Sequence, residues 1–151
     1  MTPGKIRPDI VAERAFWIRQ MIDDIKTLPL QSMEEFFADK HHLAAAESYL
    51  RRCLEALLDL GRHILAKGFG YPAVEYKEVA KALGEKGVLG SDGARLMVRM
   101  AGYRNRMVHF YHEIEHSELY EICRMHLQDI EAVLDELLAW VRQNPDLREN
   151  Y

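Results

Sequence analysis

An arginine in the middle of an apolar helical face is the first sign of chemistry in this sequence. A helix is predicted over residues 91–110, and at about 100° per residue its apolar side chains fall on one arc. That arc is formed by Leu96, Met97, Met100, Ala101, Met107 and Val108, and Arg104 lies at its centre. A guanidinium keeps its charge, so burying it without a partner costs several kcal/mol.

Two interpretations of Arg104 remain open at this stage. It could pair with a carboxylate of the core or of an interface, such as Glu47 or Glu121. Alternatively, it could hold an anion in a cleft, because a planar guanidinium binds phosphate through two parallel hydrogen bonds. The helical pattern alone does not decide between them.

His109 follows Arg104 by five residues and could exchange protons there. An imidazole can act as general acid or base near neutral pH. On an ideal helix the two residues lie about 140° apart, so they share a site if the helix ends or distorts there, or if two subunits contribute. The alternative is a histidine that caps a helix or lies at the surface. The spacing alone is weak evidence, since it occurs by chance.

The elements that position these residues are all predicted to be helices. Apolar residues recur at helical spacing, and strand signals are almost absent. Ser32 is predicted to cap the second helix, Ser91 or Asp92 the fourth and Ser117 the last. Gly68 and Gly70 are predicted to end the second helix. The predicted ranges are 8–28, 32–67, 76–86, 91–110 and 117 to just before Pro145.

These helices predict one all-α domain over residues 1–151, an antiparallel bundle of four to five helices. The hydrophobic content of 48% and the charged content of 29% suit such a domain. Cys53 and Cys123 lie in apolar helical stretches and are expected to be buried free thiols. Neither a signal peptide nor a membrane span is visible, so we expect a cytoplasmic protein.

The overall charge argues against a protein that coats nucleic acid. The formal net charge is −4 and the pI is about 6.0, whereas such proteins are usually basic. Any RNA contact must therefore be local or built by an oligomer. Arg95, Arg99 and Arg106 share one helix edge and could provide it, although ordinary solvated helix faces look the same.

The segment His112-Glu113-Ile114-Glu115-His116 matches the H-E-x-x-H pattern of zinc proteases. That motif needs both histidines on one helix face, with uncharged residues usually between them. Here Glu115 is charged, and a helix start at Ser117 would leave the histidines in a turn. We therefore expect neither a metal nor a cofactor.

The segment from Met100 to Tyr111 reads Met-Ala-Gly-Tyr-Arg-Asn-Arg-Met-Val-His-Phe-Tyr. It resembles the R-x4-H-x-Y signature of HEPN-superfamily RNase toxins of the HepT type. Asn105 matches the polar residue that often follows the family's arginine, and Met-Ala-Gly-Tyr matches its usual lead-in. The resemblance is clear over residues 91–141 and loose in the helices before them.

The resemblance implies a homodimer in which two copies of the motif build a metal-independent endoribonuclease site across a cleft. Arg104 would bind the scissile phosphate, His109 would act as general base or acid, and Asn105 would orient the histidine or bind the phosphate. The expected products are a 2′,3′-cyclic phosphate and a 5′-hydroxyl. Arg99 and Arg106 are candidates for RNA binding.

The resemblance further implies a partner, a minimal nucleotidyltransferase antitoxin. Some such antitoxins transfer AMP to the motif tyrosine, here Tyr111, where a bulky anion beside Arg104 would repel RNA. Tyr111 could equally be a packing aromatic. Two alternatives to the nuclease remain: a non-catalytic HEPN helper that binds nucleotide or substrate for the nucleotidyltransferase, and a plain helical interaction protein.

Overall fold

The computed structural model describes residues 4–109 and 114–149. This part of the chain is all-α, as predicted, and ends in a 3-10 turn over Pro145–Leu147. Its seven α-helices are α1 Pro8–Lys26, α2 Met33–Phe37, α3 Lys40–Phe69, α4 Tyr76–Glu85, α5 Ser91–Val108, α6 His116–Met125 and α7 Leu127–Gln143. The number exceeds the predicted four to five because two of the five predicted helices are each divided in two.

The long helix α3 forms the centre of the bundle and contacts every other α-helix described. Its apolar face is buried from Ala46 to Gly68, and completely so at Leu50, Leu54, Leu57, Leu58, Leu60, Ile64 and Leu65. Burying side chains of this size stabilises the fold by about 1.5–3 kcal/mol each. This apolar face fixes the rotation of α3, and therefore also which of its polar residues reach the surface.

The single helix predicted over 32–67 is wrong, because the chain breaks between Phe37 and Lys40. The Ser32 hydroxyl does cap a helix by accepting the Glu35 N–H at 3.3 Å, but that helix is the short α2. A new cap follows, in which the Asp39 carboxylate accepts the His41 N–H at 2.8 Å and starts α3. Gly70 ends α3 in the left-handed conformation at φ 64°, as predicted, whereas Gly68 lies inside the helix.

Helix α5 begins differently from the prediction and ends before His109. Neither Ser91 nor Asp92 caps it, since Gly90 is the N-cap residue and its N–H donates to Glu136 of α7 at 3.0 Å. The helix ends at Val108, and His109 has extended backbone angles, φ −86° and ψ 127°. This early end determines where the His109 side chain can lie.

The last predicted helix is also two helices. Helix α6 begins at His116 after the N-cap residue Glu115, so Ser117 lies inside the helix and does not cap it. The chain breaks at His126, with φ −117° and ψ 9°, and α7 begins at Leu127. The Nδ1 atom of His126 lies 3.2 Å from the Asp129 carboxylate, a local contact that competes with a continuous helix.

Both cysteines are buried free thiols, as predicted. Burial raises the pKa of each thiol to about 12, and at Cys53 the neighbouring Cys123 and Glu131 add to this effect. Both therefore remain protonated and unreactive at neutral pH. None of the helices in residues 4–109 and 114–149 is long and apolar enough to cross a membrane.

Candidate functional site

A cleft of about 420 Å³ opens where the end of α5 meets the start of α4 and the polar face of α3. Its lining consists of Arg62, Val74, Glu75, Tyr76, Lys77, Arg104, Asn105 and His109. The three residues predicted to be catalytic therefore lie along one cleft of a single chain. The volume lies within the range of small-molecule sites, and three of the lining side chains, Arg62, Lys77 and Arg104, are cationic.

His109 reaches this cleft because α5 stops one residue before it. On a continued helix, the side chain would have pointed about 140° away from Arg104. Instead, the His109 N–H makes the last helical hydrogen bond, to the Asn105 carbonyl at 2.9 Å, while its own backbone is extended. The helix end thus meets the condition under which Arg104 and His109 could share a site.

The Arg104 side chain is half-buried, with 22% of its surface exposed, and is held by α3 and α4. Its Nη2 lies 3.4 Å from Oε2 of Glu55, and its Nη1 lies 3.5 Å from Oδ1 of Asn105. Its guanidinium carbon lies 4.8 Å from the ring centroid of Tyr76, a cation–π contact. Arg104 therefore combines a carboxylate partner with a position on a cleft.

The carboxylate that pairs with Arg104 is neither of the two suggested by the sequence. Glu47 contacts Arg51 at 3.6 Å on its own helix, and Glu121 is exposed on α6. Glu55 occupies the position instead because it lies two helical turns after Glu47, next to the end of α5.

Arg104 keeps donor capacity despite these contacts. A guanidinium has five N–H donors, and the two acceptors found lie at the long end of hydrogen-bond distances. Its Nε is buried and has no hydrogen-bond partner among the described residues. An anion entering the cleft could therefore gain hydrogen bonds from the Nη groups, each of which keeps a further N–H donor.

The Tyr76 ring is a shared platform for two guanidinium groups. The guanidinium carbon of Arg62 lies 4.9 Å from the ring centroid, close to the distance found for Arg104. The phenol donates a hydrogen bond of 2.9 Å to Asp59. Burial and this contact raise the pKa of Tyr76 to about 12, against the opposing effect of the two arginines. The phenol therefore stays neutral and serves as a fixed support.

Arg62 fixes the segment that precedes α4. Its Nη2 donates to the Val74 carbonyl at 2.7 Å, and its Nη1 lies 3.3 Å from Asp59. Backbone carbonyls outside helices and sheets have few hydrogen-bond partners within the backbone. The bond from Arg62 therefore restricts the movement of this segment. The wall of the cleft opposite α5 is thereby held in place.

Seven residues in or beside the cleft were not predicted from the sequence: Glu55, Asp59, Arg62, Val74, Glu75, Tyr76 and Lys77. A signal existed for the first three. They follow the i, i+4, i+7 spacing and so mark one charged line on a helix that is otherwise rich in leucine. Tyr76 and Lys77 carry no such signal, because the fold alone brings the start of α4 to the end of α5.

Arg99 and Arg106, the predicted RNA-binding residues, do not line this cleft. Arg106 makes a two-pronged ion pair with Glu118, with Nη1 to Oε2 at 2.8 Å, and its guanidinium lies 5.6 Å from the ring of Tyr103. Arg99 borders a small apolar hollow between α5 and α7. Their role in RNA binding stays a prediction.

Tyr111, the predicted modification site, lies outside the described residues, as does His112 of the zinc-protease pattern. Ile114 and Glu115 precede α6, so the pattern does not run along one helix through these positions. Within residues 4–109 and 114–149, no three His, Cys, Asp or Glu side chains form a group that could hold a metal ion.

The chain matches the family model described as "Ribonuclease HepT-like" over residues 18–137. It is similar to the tRNA nuclease HepT of Aphanizomenon flos-aquae, with 25% identity over 136 residues, 90% of this chain and 92% of that protein. The family match covers α3, α4 and α5, and with them the whole cleft.

Solved structures share the fold. The tri-AMPylated HEPN toxin of Shewanella oneidensis, in complex with its MNT antitoxin, has a TM-score of 0.79 and 23% identity over 87% of this chain and 98% of that one. YutE of Bacillus subtilis, a cytosolic protein of unknown function, has a TM-score of 0.72 and 14% identity, with 93% of each chain covered. At these identities the likeness establishes the helical arrangement.

Proposed function

The chain belongs to the HepT-like ribonuclease family, and on this premise we propose that it is a metal-independent endoribonuclease toxin. The observation that carries the proposal is the cleft along which Arg104, Asn105 and His109 lie together, at the end of α5. An arginine and an imidazole beside one cleft are the groups that RNA cleavage without a metal needs, a binder for the phosphate and a proton carrier.

In this proposal Arg104 binds the scissile phosphate. Its weakly held Nη groups can donate to the non-bridging oxygens, on which negative charge grows in the transition state. The half-buried position strengthens this interaction, because water screens it less than at an open surface. The Tyr76 ring and the Glu55 carboxylate orient the guanidinium before RNA arrives.

His109 acts as the proton carrier. It would take the proton from the neighbouring 2′-hydroxyl, whose oxygen then bonds to phosphorus while the bond to the 5′-oxygen breaks. The leaving oxygen takes up a proton, which gives a 2′,3′-cyclic phosphate and a 5′-hydroxyl. Asn105, whose carbonyl holds the His109 N–H at 2.9 Å, would orient the histidine or bind the phosphate.

We further propose that the working form is a homodimer in which the two clefts face each other. Val74, which lines the cleft, is 75% exposed, and Val108, which precedes the lining residue His109, is 46% exposed. Exposed apolar residues that flank a polar cleft are suited to an interface, which would close the site to bulk water. Two facing copies would also supply one histidine as base and one as acid.

A minimal nucleotidyltransferase antitoxin is the proposed partner. The Shewanella oneidensis HEPN toxin with this fold is AMPylated and is bound to such an antitoxin. Transfer of AMP to Tyr111, two residues after His109, would place a nucleotide phosphate near Arg104. That anion would compete with RNA for the same guanidinium and so block cleavage.

Cleavage of RNA in excess EDTA by the purified protein tests the proposal. We expect the wild type to cut and to leave 2′,3′-cyclic phosphate ends, identified by mass spectrometry. Arg104→Ala and His109→Ala should each lower the rate about 10²-fold or more. Arg19→Ala is the control, because Arg19 is exposed on α1, lies 3.8 Å from Asp135 and does not line the cleft.

The outcomes separate the alternatives. Cleavage that survives both substitutions would place the activity elsewhere or in a contaminant. A folded wild type that cuts no RNA, and whose Tyr111 peptides carry no AMP by mass, would favour the non-catalytic helper that binds nucleotide or substrate for the nucleotidyltransferase. Loss of activity with EDTA would contradict the metal-independent mechanism.

A further inference from the structure

We propose that Arg62 and Lys77 form a second phosphate subsite in the same cleft, which binds the phosphodiester next to the one at Arg104 along the RNA strand. The inference rests on the proposed function and adds to it, since it assigns to the cleft two cationic residues that the cleavage step does not use. It also predicts that efficient cleavage requires a charged phosphodiester next to the one that is cleaved.

The shared aromatic platform sets the spacing of the two subsites. The guanidinium carbons of Arg62 and Arg104 lie 4.9 and 4.8 Å from the centroid of the Tyr76 ring. Two groups that contact one ring are within about 10 Å of each other. A nucleic-acid strand carries one phosphate per nucleotide, so guanidiniums this close can contact successive phosphates of one strand.

Arg62 has unused capacity for an anion. Its side chain is 40% exposed, and Nη1 and Nη2 each use one N–H for a protein partner and keep a second one. Its carboxylate partner, Asp59, also accepts the Tyr76 hydroxyl at 2.9 Å, so that the charge of Asp59 is shared. An arginine in this position can bind a phosphate without first breaking a strong ion pair.

Lys77 adds a mobile charge on the same side of the cleft. It is exposed at the start of α4, next to the Tyr76 platform, and forms no ion pair within residues 4–109 and 114–149. A lysine ammonium is a compact charge on a flexible stem, so it can follow a phosphate whose exact position varies with RNA sequence. Glu75 also lines the cleft, and its carboxylate opposes an anion there.

The test uses a short RNA with one mapped cleavage site. In separate substrates, the phosphate on the 5′ or the 3′ side of that site is replaced by an uncharged methylphosphonate. Wild-type kcat/KM should fall about 10-fold for the side that the subsite contacts and stay unchanged for the other. Arg62→Gln should cut the unmodified RNA about 10-fold more slowly, and Lys77→Gln a few-fold more slowly. Both variants should lose most of the sensitivity to the uncharged linkage.

The two variants guard against a merely structural effect. Arg62 also holds the Val74 carbonyl, so its replacement could disturb the cleft, whereas Lys77 makes no such hydrogen bond in the part of the chain that the structure describes. A structural role would lower the rate on charged and uncharged substrates by the same factor, and this additive result would overturn the inference. Glu75→Gln should act in the opposite direction and strengthen the dependence on the neighbouring charge.

Failure of the inference is distinct from failure of the proposed function. If the wild type and both variants cleave RNA and are equally sensitive to the uncharged linkage, the subsite is overturned. The proposed nuclease activity is not affected by that result. A wild type that cuts none of the substrates overturns the nuclease, and the subsite with it.

Discussion

Arg104 on α5 and Glu55 on α3 form an ion pair of 3.4 Å beside the cleft, across 49 residues of sequence. The Glu55 carboxylate also accepts a hydrogen bond of 2.9 Å from Arg51 one helical turn before it. The group proposed to bind the scissile phosphate is thus held by a carboxylate whose charge is divided between two arginines. Glu55 orients Arg104 and at the same time competes with an incoming anion.

Glu55→Gln should therefore tighten the binding of RNA. The amide can still accept a hydrogen bond from Arg104 but no longer offsets its charge, so the cleft becomes more positive. The pair is partly exposed, and we expect a gain of about two- to five-fold. Fluorescence anisotropy with labelled single-stranded RNA in the His109→Ala background measures it without cleavage. Weaker binding would show that Glu55 matters mainly for orientation.

Replacement of Tyr76 separates its ring from its hydroxyl. Tyr76→Phe removes the hydrogen bond to Asp59 and should lower the free energy of unfolding by about 1 kcal/mol, while cleavage stays within about three-fold of wild type. Tyr76→Leu removes the platform under both guanidiniums and should lower kcat/KM about ten-fold. Urea unfolding and cleavage assays measure the two effects. Equal activity of both variants would rule out the platform role.

The sequence predicted the helix that carries the site better than it predicted the surroundings of the site. Helical periodicity placed Arg104 on an apolar arc, and the motif resemblance added Asn105 and His109, which the structure brings to one cleft. The family itself is confirmed by the match over residues 18–137. Periodicity could succeed here because it depends on neighbours within two turns.

Contacts between distant segments could not be predicted in this way. Glu55 and Tyr76 meet Arg104 only because the apolar face of α3 fixes its rotation and α4 returns beside it. The two missed helix breaks have a local cause instead. Asp39 caps α3, but the glutamate three residues later that marks a capping box is absent. At the second break, the apolar helical pattern continues on both sides of His126. Hydrophobic periodicity continues through such breaks and conceals them.

The proposed dimer can be tested at the rim of the cleft. Val108→Glu places a charge where an apolar side chain is exposed beside His109, and should weaken both self-association and RNA cleavage. Met33→Glu is the control, because Met33 is exposed to a similar degree, at 48%, but lies on α2 away from the cleft. Sedimentation velocity over a range of concentrations gives the oligomeric state. A monomeric wild type that cleaves RNA would contradict the dimer.

His63 should make the fold sensitive to acid. Its Nε2 accepts the Arg7 N–H at 3.1 Å, and its pKa is lowered by burial and by the nearby charges of Lys67, Arg7 and Arg14. Because the pKa is lower in the folded than in the unfolded chain, this stabilisation is complete above about pH 6.5 and is lost as the pH falls through the folded value.

His63→Gln keeps an acceptor for the Arg7 N–H but cannot be protonated. We therefore expect the wild type to lose more of its free energy of unfolding than the variant between about pH 8 and about pH 5, and the two to be similar at the upper end. Urea unfolding at each pH measures this difference. Parallel pH profiles would show that His63 does not contribute to acid sensitivity.

Gly93 on α5 leaves room for the carboxylate that caps this helix. A Cβ at position 93 would collide with Oε2 of Glu136, whose other oxygen accepts the Gly90 N–H. Gly93→Ala would therefore displace Glu136 and remove a cap contact of about 1 kcal/mol, which cancels the gain of up to about 1 kcal/mol expected for alanine in a helix. In a Glu136→Ala background no cap remains to be lost, so the same substitution should stabilise the protein by about 0.5–1 kcal/mol. A double-mutant cycle from urea unfolding gives the coupling, and equal effects in both backgrounds would show that Glu136 moves aside at no cost.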